Sequence, residues 1–147
     1  MNTENNKSKE LFTKIELKND KLLFEGTTSN QPAISIDYFP PFGDGLGYTS
    51  LELFLLSLSS CLASSVALLL RKMNKNLTGL KVESHALRSE IHPTILYSIN
   101  LNLIIQSTNA DILSVNKAIE LSENQLCPVL NMLSEKVKVI VSHEIIK

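Results

Sequence analysis

The sequence predicts an α+β domain in which a mainly antiparallel sheet packs against one long central helix. Two observations lead to this fold class. The middle of the chain contains an almost unbroken apolar stretch, Leu51 to Leu70. A helix that is apolar on most faces is expected to be covered on most sides by other parts of the protein. The segments on either side alternate apolar and polar side chains with the period of two that indicates strands. In chain order the elements are β-β-β-α-β-β-α-α-β.

Three strands are predicted before the central helix. Residues 11–18 alternate, with Leu11, Thr13, Ile15 and Leu17 on one face. A turn signal at residues 19–20 connects them to a second strand over residues 21–25, which predicts a hairpin. Residues 33–39 form the third predicted strand. The polar residues 1–9 are predicted to be a disordered tail, and residues 10–147 a single domain.

The central helix is predicted to begin at Thr49 or Ser50 and to end near Asn74. Thr49 and Glu52 have the spacing of a capping box, placed just before the apolar run. The run has the length of a bilayer span, but it also contains Glu52 and five serines, so we predict a core helix. One small sheet covers too little of such a helix, which favours an intertwined homodimer in which the helices of two subunits pack together.

Further strands and helices follow the central helix. Strands are predicted over residues 80–88 and 94–106, and the second of them places one set of apolar side chains on a single face: Ile95, Tyr97, Ile99, Leu101, Leu103 and Ile105. A helix is predicted over residues 110–125, capped by Thr108 or Asn109. A short helix from Cys127-Pro128 to about Ser134 and a strand over residues 136–146 complete the domain.

Composition excludes several classes of function. The 147 residues carry a net charge of −1 and no tryptophan, so no basic field or stacking platform favours nucleic acid or an anionic membrane. The polar N-terminus has no signal-peptide pattern, and two cysteines are too few for a disulfide scaffold, so we expect a cytoplasmic protein. Ligands at metal-binding spacing are not found, and we expect neither a metal nor another cofactor.

The two cysteines lie in segments that resemble a known family. The stretch from Gly47 to Phe54 (GYTSLELF), continuing to Cys61, resembles the signature of the OsmC/Ohr family. In that family a Pro-x-Glu-Leu-like start opens a long helix, and small residues, here Ser59-Ser60, lead into a cysteine. His92-Pro93, Cys127-Pro128-Val129 and the element order over nearly the whole chain support the resemblance. The sequence looks most like the YhfA-like branch of the family.

The resemblance implies a thiol peroxidase that acts on organic hydroperoxides or hydrogen peroxide in oxidative-stress defence. It implies that Cys61 is the peroxidatic residue and Cys127 the resolving one, with a cellular dithiol as reductant. Such chemistry needs a thiolate, access for the peroxide and a second thiol within reach. The family's glutamate near the helix start corresponds to Glu52, which we include among the catalytic candidates.

The residues themselves support the two cysteines to different degrees. Pro128 suits the first position of a helix, which places Cys127 at the N-cap, where the helix dipole is expected to lower its pKa. The alternative is that Cys127 is only a cap. Cys61 has Ser57, Ser64 and Ser65 within one helical turn. These hydroxyls either stabilise a thiolate or bond the backbone carbonyl one turn back.

Two departures from the family pattern favour an alternative function. The family uses an arginine from the N-terminal strands, whereas Arg71 and Arg88 are the only arginines here. Three lysines of that region, Lys14, Lys18 and Lys21, supply positive charge. Unlike arginine, they have no planar guanidinium group that donates two parallel hydrogen bonds. In a regular helix Glu52 lies about 13 Å from Cys61 and half a turn out of phase, which favours its capping role. The alternative is a non-catalytic OsmC-like protein that binds a small apolar ligand at the dimer interface.

Overall fold

A computed structural model describes residues 10–147, so the predicted tail over residues 1–9 lies outside the described residues. Two compact units make up the described chain, one ending at Leu53 and the other beginning at Phe54. The α+β class is confirmed, with two three-stranded sheets and a long helix. The prediction that residues 10–147 form a single domain stays a prediction.

The first unit is built on an antiparallel sheet with the strand order β1-β2-β3. Its strands are β1 (Thr13–Leu17), β2 (Phe24–Thr28) and β3 (Ile34–Ile36). The register pairs Leu17 with Phe24, which confirms the predicted hairpin. Strands β1 and β3 are shorter than predicted, and β2 begins three residues later than predicted. Alternation alone specifies the ends of strands poorly.

A buried carboxylate organises the loop that follows β3. Asp37 is 2% exposed and accepts hydrogen bonds from the backbone N–H groups of Leu46 (3.0 Å), Tyr38 (2.7 Å) and Asp44 (3.1 Å). These donors, Leu46 first, lower the pKa of Asp37 because they stabilise its charged form. Gly45 adopts a left-handed φ of 68° in the same loop, a conformation that suits glycine. Sequence patterns had not indicated a role for Asp37.

Helix α1 extends from Ser50 to Lys72, close to the predicted range. Asn74 follows it with a left-handed φ of 58°. The Lys75 N–H donates to the Leu70 carbonyl (2.9 Å) and the Asn74 N–H to the Arg71 carbonyl (3.0 Å). This is the Schellman arrangement, in which a left-handed residue turns the chain away and satisfies the last carbonyls. It explains why the helix ends just before Asn74.

The sheet of the second unit contains a parallel pairing that the sequence did not indicate. Strand β4 (Leu77–Arg88) pairs antiparallel with β5 (Leu96–Ser107), and β5 pairs in parallel with β6 (Lys138–Ile146). Because helices separate β5 from β6, the chain returns to the same end of the sheet and the strands run in one direction. Among residues 10–147, three of the four pairings between these strands are antiparallel, as predicted.

A register shift changes the inward face of β5 at its start. Ile99 and the alternate residues to Ile105 are fully buried, as predicted, but Ile95 and Tyr97 are exposed and Leu96 is buried instead. The irregularity lies opposite Leu87 and Arg88 of β4. One extra residue in a strand moves the side chains before it to the opposite face of the sheet. The prediction that Ile95 and Tyr97 share one face of the strand with Ile99 is therefore wrong.

The connection from β5 to β6 contains three helical segments: α2 (Ile112–Leu121), a π-helical turn (Ser122–Leu126) and α3 (Pro128–Asn131). Asp111 caps α2 and forms a reciprocal capping box with Ser114. The predicted caps, Thr108 and Asn109, are wrong, because the helix begins two residues later than expected. Asn109 instead donates to the Asn74 carbonyl (3.1 Å).

The core of the second unit is formed by α1, β5 and α2. Its fully buried apolar side chains are Leu58, Leu62, Val66, Leu70, Ile99, Leu101, Leu103, Ile105, Val115 and Ala118. The α1 residues recur every four positions, which places them on one stripe of the helix. Cys61 lies beside this stripe, and Cys127 is buried in the same unit.

Candidate functional site: a pair of cysteines in the second unit

Cys61 lies within α1 between two fully buried leucines, Leu58 and Leu62, and is itself only partly buried. The hydroxyls of two nearby serines, Ser64 and Ser65, bond to the backbone. Ser65 donates to the Cys61 carbonyl (3.1 Å) and Ser64 donates to the Ser60 carbonyl (2.7 Å). These bonds favour the backbone alternative for the serines, since they occupy the hydroxyl protons that a thiolate would need.

Cys127 occupies the N-cap of α3, as the Cys-Pro spacing predicts. Pro128 takes the first helical turn, and the Cys127 sulfur accepts a hydrogen bond from the Leu130 N–H at 3.4 Å. Unlike Cys61, Cys127 is fully buried. The local geometry of the cap is therefore correct, while its surroundings are far more apolar than a surface cap would have.

The two cysteine side chains meet. The side chains of Cys127 and Cys61 lie close enough to interact, although the two residues are far apart in the sequence. Burial, followed by the interaction with Cys61, raises the pKa of Cys127 from its ordinary 9.0 to about 11. The backbone N–H groups of Leu130 and Val129 act in the opposite direction, but these two donors and a short helix do not compensate for desolvation. The expectation of a lowered pKa for Cys127 is therefore wrong, because burial outweighs the effect of the helix cap.

The segment that carries Cys127 is stabilised by Asn131, which the sequence reasoning missed. The Asn131 side-chain amide donates to the backbone carbonyls of Glu123 (2.9 Å) and Cys127 (2.8 Å). The available signal was an amide side chain four residues after a cysteine that begins a helix. That spacing places residues one turn apart.

Glu52 forms the predicted capping box in the first unit. Its carboxylate accepts hydrogen bonds from the Thr49 backbone N–H (2.8 Å) and hydroxyl (3.0 Å), and the Glu52 N–H donates to the Thr49 hydroxyl (3.3 Å). Glu52 also lines a groove of about 600 Å³ together with Ile34, Phe39, Leu46 and Tyr48. The structure therefore gives Glu52 a capping role, and its catalytic role stays a prediction.

Within residues 10–53, the lysines of the first unit are paired with carboxylates. Lys14 lies 3.4 Å from Glu16, Lys18 lies 3.5 Å from Glu25, and Lys21 pairs with Asp44. These exposed pairs are individually weak. They nevertheless direct each ammonium group towards a neighbouring carboxylate of the same unit.

Neither arginine is positioned on the N-terminal strands. Arg88 donates to the Thr94 carbonyl (2.7 Å) and hydroxyl (2.6 Å) at the end of β4, and Arg71 lies in the last turn of α1. Among residues 10–147, no group of three or more His, Cys, Asp or Glu side chains is positioned to hold a metal ion.

Comparison with known proteins now identifies the family. Residues 43–142, more than half of the chain, match the family described as OsmC-like protein. The chain belongs to the OsmC-like family. One curated relative, protein YhfA of Escherichia coli K12, is 27% identical over 96 residues, which cover 65% of this chain and 72% of YhfA. The OsmC/Ohr family is known for peroxide resistance and the response to oxidative stress.

Solved structures show the same fold. An OsmC-like protein from Mycoplasma pneumoniae has a TM-score of 0.82 at 21% identity and covers 95% of this chain and 99% of its own. A structure from Legionella pneumophila, described as an organic hydroperoxide resistance protein OsmC, has a TM-score of 0.68 at 14% identity and covers 92% and 96%. At these identities the likeness shows the fold alone.

The family match also bears on the apolar helix. By length and composition alone, α1 is able to cross a membrane. Core helices of soluble proteins meet the same criteria, so this is weak support for a span. Since the OsmC-like structures align with nearly all of this chain, α1 is an element of that fold.

Proposed function

We propose that this chain is a thiol-dependent peroxidase that reduces organic hydroperoxides or hydrogen peroxide, with Cys61 as the peroxidatic and Cys127 as the resolving residue. The contact between the two thiols carries this proposal. Cys61 is partly exposed and Cys127 is buried and protonated. The first is thus the one a peroxide reaches, and the second is the one held ready beside it.

The reaction balances in three steps. The Cys61 thiol releases its proton and the thiolate attacks the peroxide ROOH. The O–O bond breaks, Cys61 becomes a sulfenic acid, and the leaving alkoxide takes up the released proton and departs as ROH. The Cys127 sulfur then attacks the Cys61 sulfur, which forms the disulfide and releases the sulfenic oxygen and the Cys127 proton as water. A cellular dithiol reduces the disulfide and is itself oxidised. No metal or organic cofactor takes part in this scheme.

A homodimer is part of the proposal. Only 28% of the most apolar window of α1 is buried within one chain. Leu56 and Leu68 are more than half exposed on that helix. Ile15 and Leu17 of the first unit are exposed as well. Apolar surface of this extent favours cover by a second copy, since a monomer leaves it in water. We place the protein in the cytoplasm, where dithiol reductants are available.

The decisive experiment counts thiols after peroxide treatment. Reduced wild type, C61S and C127S are mixed with excess cumene hydroperoxide, and free thiols and trapped sulfenic acid are measured with time. We expect wild type to lose both thiols to an intramolecular disulfide, C127S to give a trappable Cys61 sulfenic acid, and C61S to keep its thiol. Survival of both wild-type thiols in excess peroxide contradicts the proposal.

The groove of the first unit favours a second candidate, a non-catalytic protein that binds a small apolar ligand. Its volume of about 600 Å³ and its aromatic lining by Phe39 and Tyr48 suit such a ligand. Native mass spectrometry of the freshly purified protein tests this candidate. A bound lipid-like mass that persists in C61S supports it, whereas an unliganded spectrum together with peroxide consumption supports the peroxidase.

A further inference from the structure

The backbone on the N-terminal side of Cys127 has a carbonyl group that its own helix leaves without a donor. In an α-helix the Cys127 N–H would bond to Glu123, but the π-helical turn directs it to Ser122 at 2.9 Å. In a continued π-helix the Glu123 carbonyl would accept from residue 128. That residue is Pro128, which has no N–H. The Glu123 carbonyl is therefore left without either helical donor.

The Asn131 side chain supplies the missing donor and a second bond. Its amide nitrogen donates to the Glu123 carbonyl at 2.9 Å and to the Cys127 carbonyl at 2.8 Å. A side-chain amide nitrogen carries two hydrogens, so both are used. The Asn131 backbone N–H also donates to the Cys127 carbonyl, at 3.1 Å. One residue thus joins the π-helical turn to the start of α3, and Cys127 lies at their junction.

We propose that Asn131 is a positioning residue that holds Cys127 against Cys61 and thereby sets how readily the Cys61–Cys127 disulfide closes. The inference deepens the peroxidase function and rests on it for its physiological meaning. Its physical basis is independent of peroxide. Two hydrogen bonds restrict the backbone on either side of Cys127. This restriction keeps the Cys127 sulfur close to the Cys61 sulfur.

The closing reaction can be isolated from peroxide chemistry with glutathione. In that equilibrium the two thiols and glutathione disulfide give the protein disulfide and two molecules of glutathione, so electrons and protons balance. The squared concentration of glutathione divided by the concentration of its disulfide, taken at half-oxidation, measures the effective concentration of one cysteine at the other. The wild type, N131A and N131D are equilibrated over a series of these ratios, and the protein disulfide is quantified by alkylation and mass spectrometry.

We expect N131A to lower the effective concentration about thirtyfold, because two hydrogen bonds of ordinary net strength together correspond to about that factor. N131D keeps the shape but replaces the donor with a carboxylate that faces two carbonyls, so a larger decrease is expected. The control is N124A, which removes an exposed amide of the same π-helical turn and is expected to leave the equilibrium unchanged.

The outcomes separate this inference from the peroxidase proposal. An N131A equilibrium within twofold of wild type overturns the positioning role. A wild type that forms the disulfide with glutathione disulfide but ignores hydroperoxide contradicts the peroxidase and leaves the positioning role measured. Circular dichroism and the alkylation rate of Cys61 establish that each variant is folded. Should N131D fail to fold, N131A carries the test, because it removes the bonds without adding a charge.

Discussion

Replacing Cys61 with serine leaves Cys127 as the sole cysteine and allows its reactivity to be calculated. At a pKa of about 11, about one Cys127 in 10,000 is a thiolate at pH 7, against about one in 100 for an ordinary thiol. Burial is the largest cause of the raised pKa, and it persists when Cys61 is replaced. The thiolate of a more basic thiol is intrinsically more nucleophilic, which recovers roughly a factor of ten.

The net expectation is that native C61S reacts with hydroperoxide at least about tenfold more slowly than the same chain unfolded in urea. The burial of the sulfur adds a steric barrier in the same direction. Stopped-flow measurement of thiol loss with excess cumene hydroperoxide gives both rates, with the unfolded C61S chain as the matched control. C127S, measured in parallel, is expected to react faster than native C61S.

The pH dependence provides a second readout. The rate for native C61S should keep rising by about tenfold for each pH unit beyond pH 9, since its thiol is still mostly protonated there. The unfolded control should level off near pH 9. If native C61S reacts as fast as its unfolded form, or faster than C127S, then Cys127 is not held as a neutral thiol and the assigned roles are reversed.

Three further predictions concern stability, the capping box and assembly. Because the folded chain holds the Cys127 proton that the unfolded chain releases, the stabilisation present below pH 9 is lost as the pH rises towards 11, and reduced wild type should lose on the order of 2 kcal/mol. Urea unfolding at pH 8 and pH 10.5 measures this loss, and C127S should lack that component. E52A should lower the free energy of unfolding by about 1 kcal/mol and E52Q by little, since glutamine also completes a capping box. A loss of peroxide turnover in stable E52Q would instead assign Glu52 a catalytic role. L68E, on the exposed face of α1, should convert a dimer to a monomer in light scattering, whereas L113E on α2 should not. Equal masses for L68E and wild type would exclude that face.

The local features of the site could be predicted from the sequence because they depend on neighbours in the chain. The capping box of Thr49 and Glu52 and the N-cap position of Cys127 each involve residues within four positions of one another. Their geometry follows from residue type and spacing. The buried face of β5 from Ile99 onwards could also be predicted, because four successive inward positions are apolar.

Features that depend on distant parts of the chain could not be predicted in this way. Strand β6 pairs in parallel with β5. The alternation of apolar and polar residues specifies neither the neighbour of a strand nor its direction. The pKa of Cys127 has the same origin. The helix cap is a local feature and lowers this pKa. Burial and the interaction with Cys61 arise from the tertiary fold, raise the pKa and have the larger effect. Asn131 was missed because its acceptors are backbone carbonyls, which sequence patterns do not display.

A buried, protonated thiol is a poor first nucleophile but an adequate second one. Peroxide in solution meets Cys127 at low concentration, so a thiolate population of about 1 in 10,000 directly limits that encounter. The Cys61 sulfur is already in contact with Cys127, and well-oriented groups have effective molarities of about 10⁵ M or more. That factor offsets the scarcity of thiolate for the closing step alone. The same burial therefore suppresses attack by Cys127 on peroxide and still permits its attack on an oxidised Cys61, which is the division of roles proposed here.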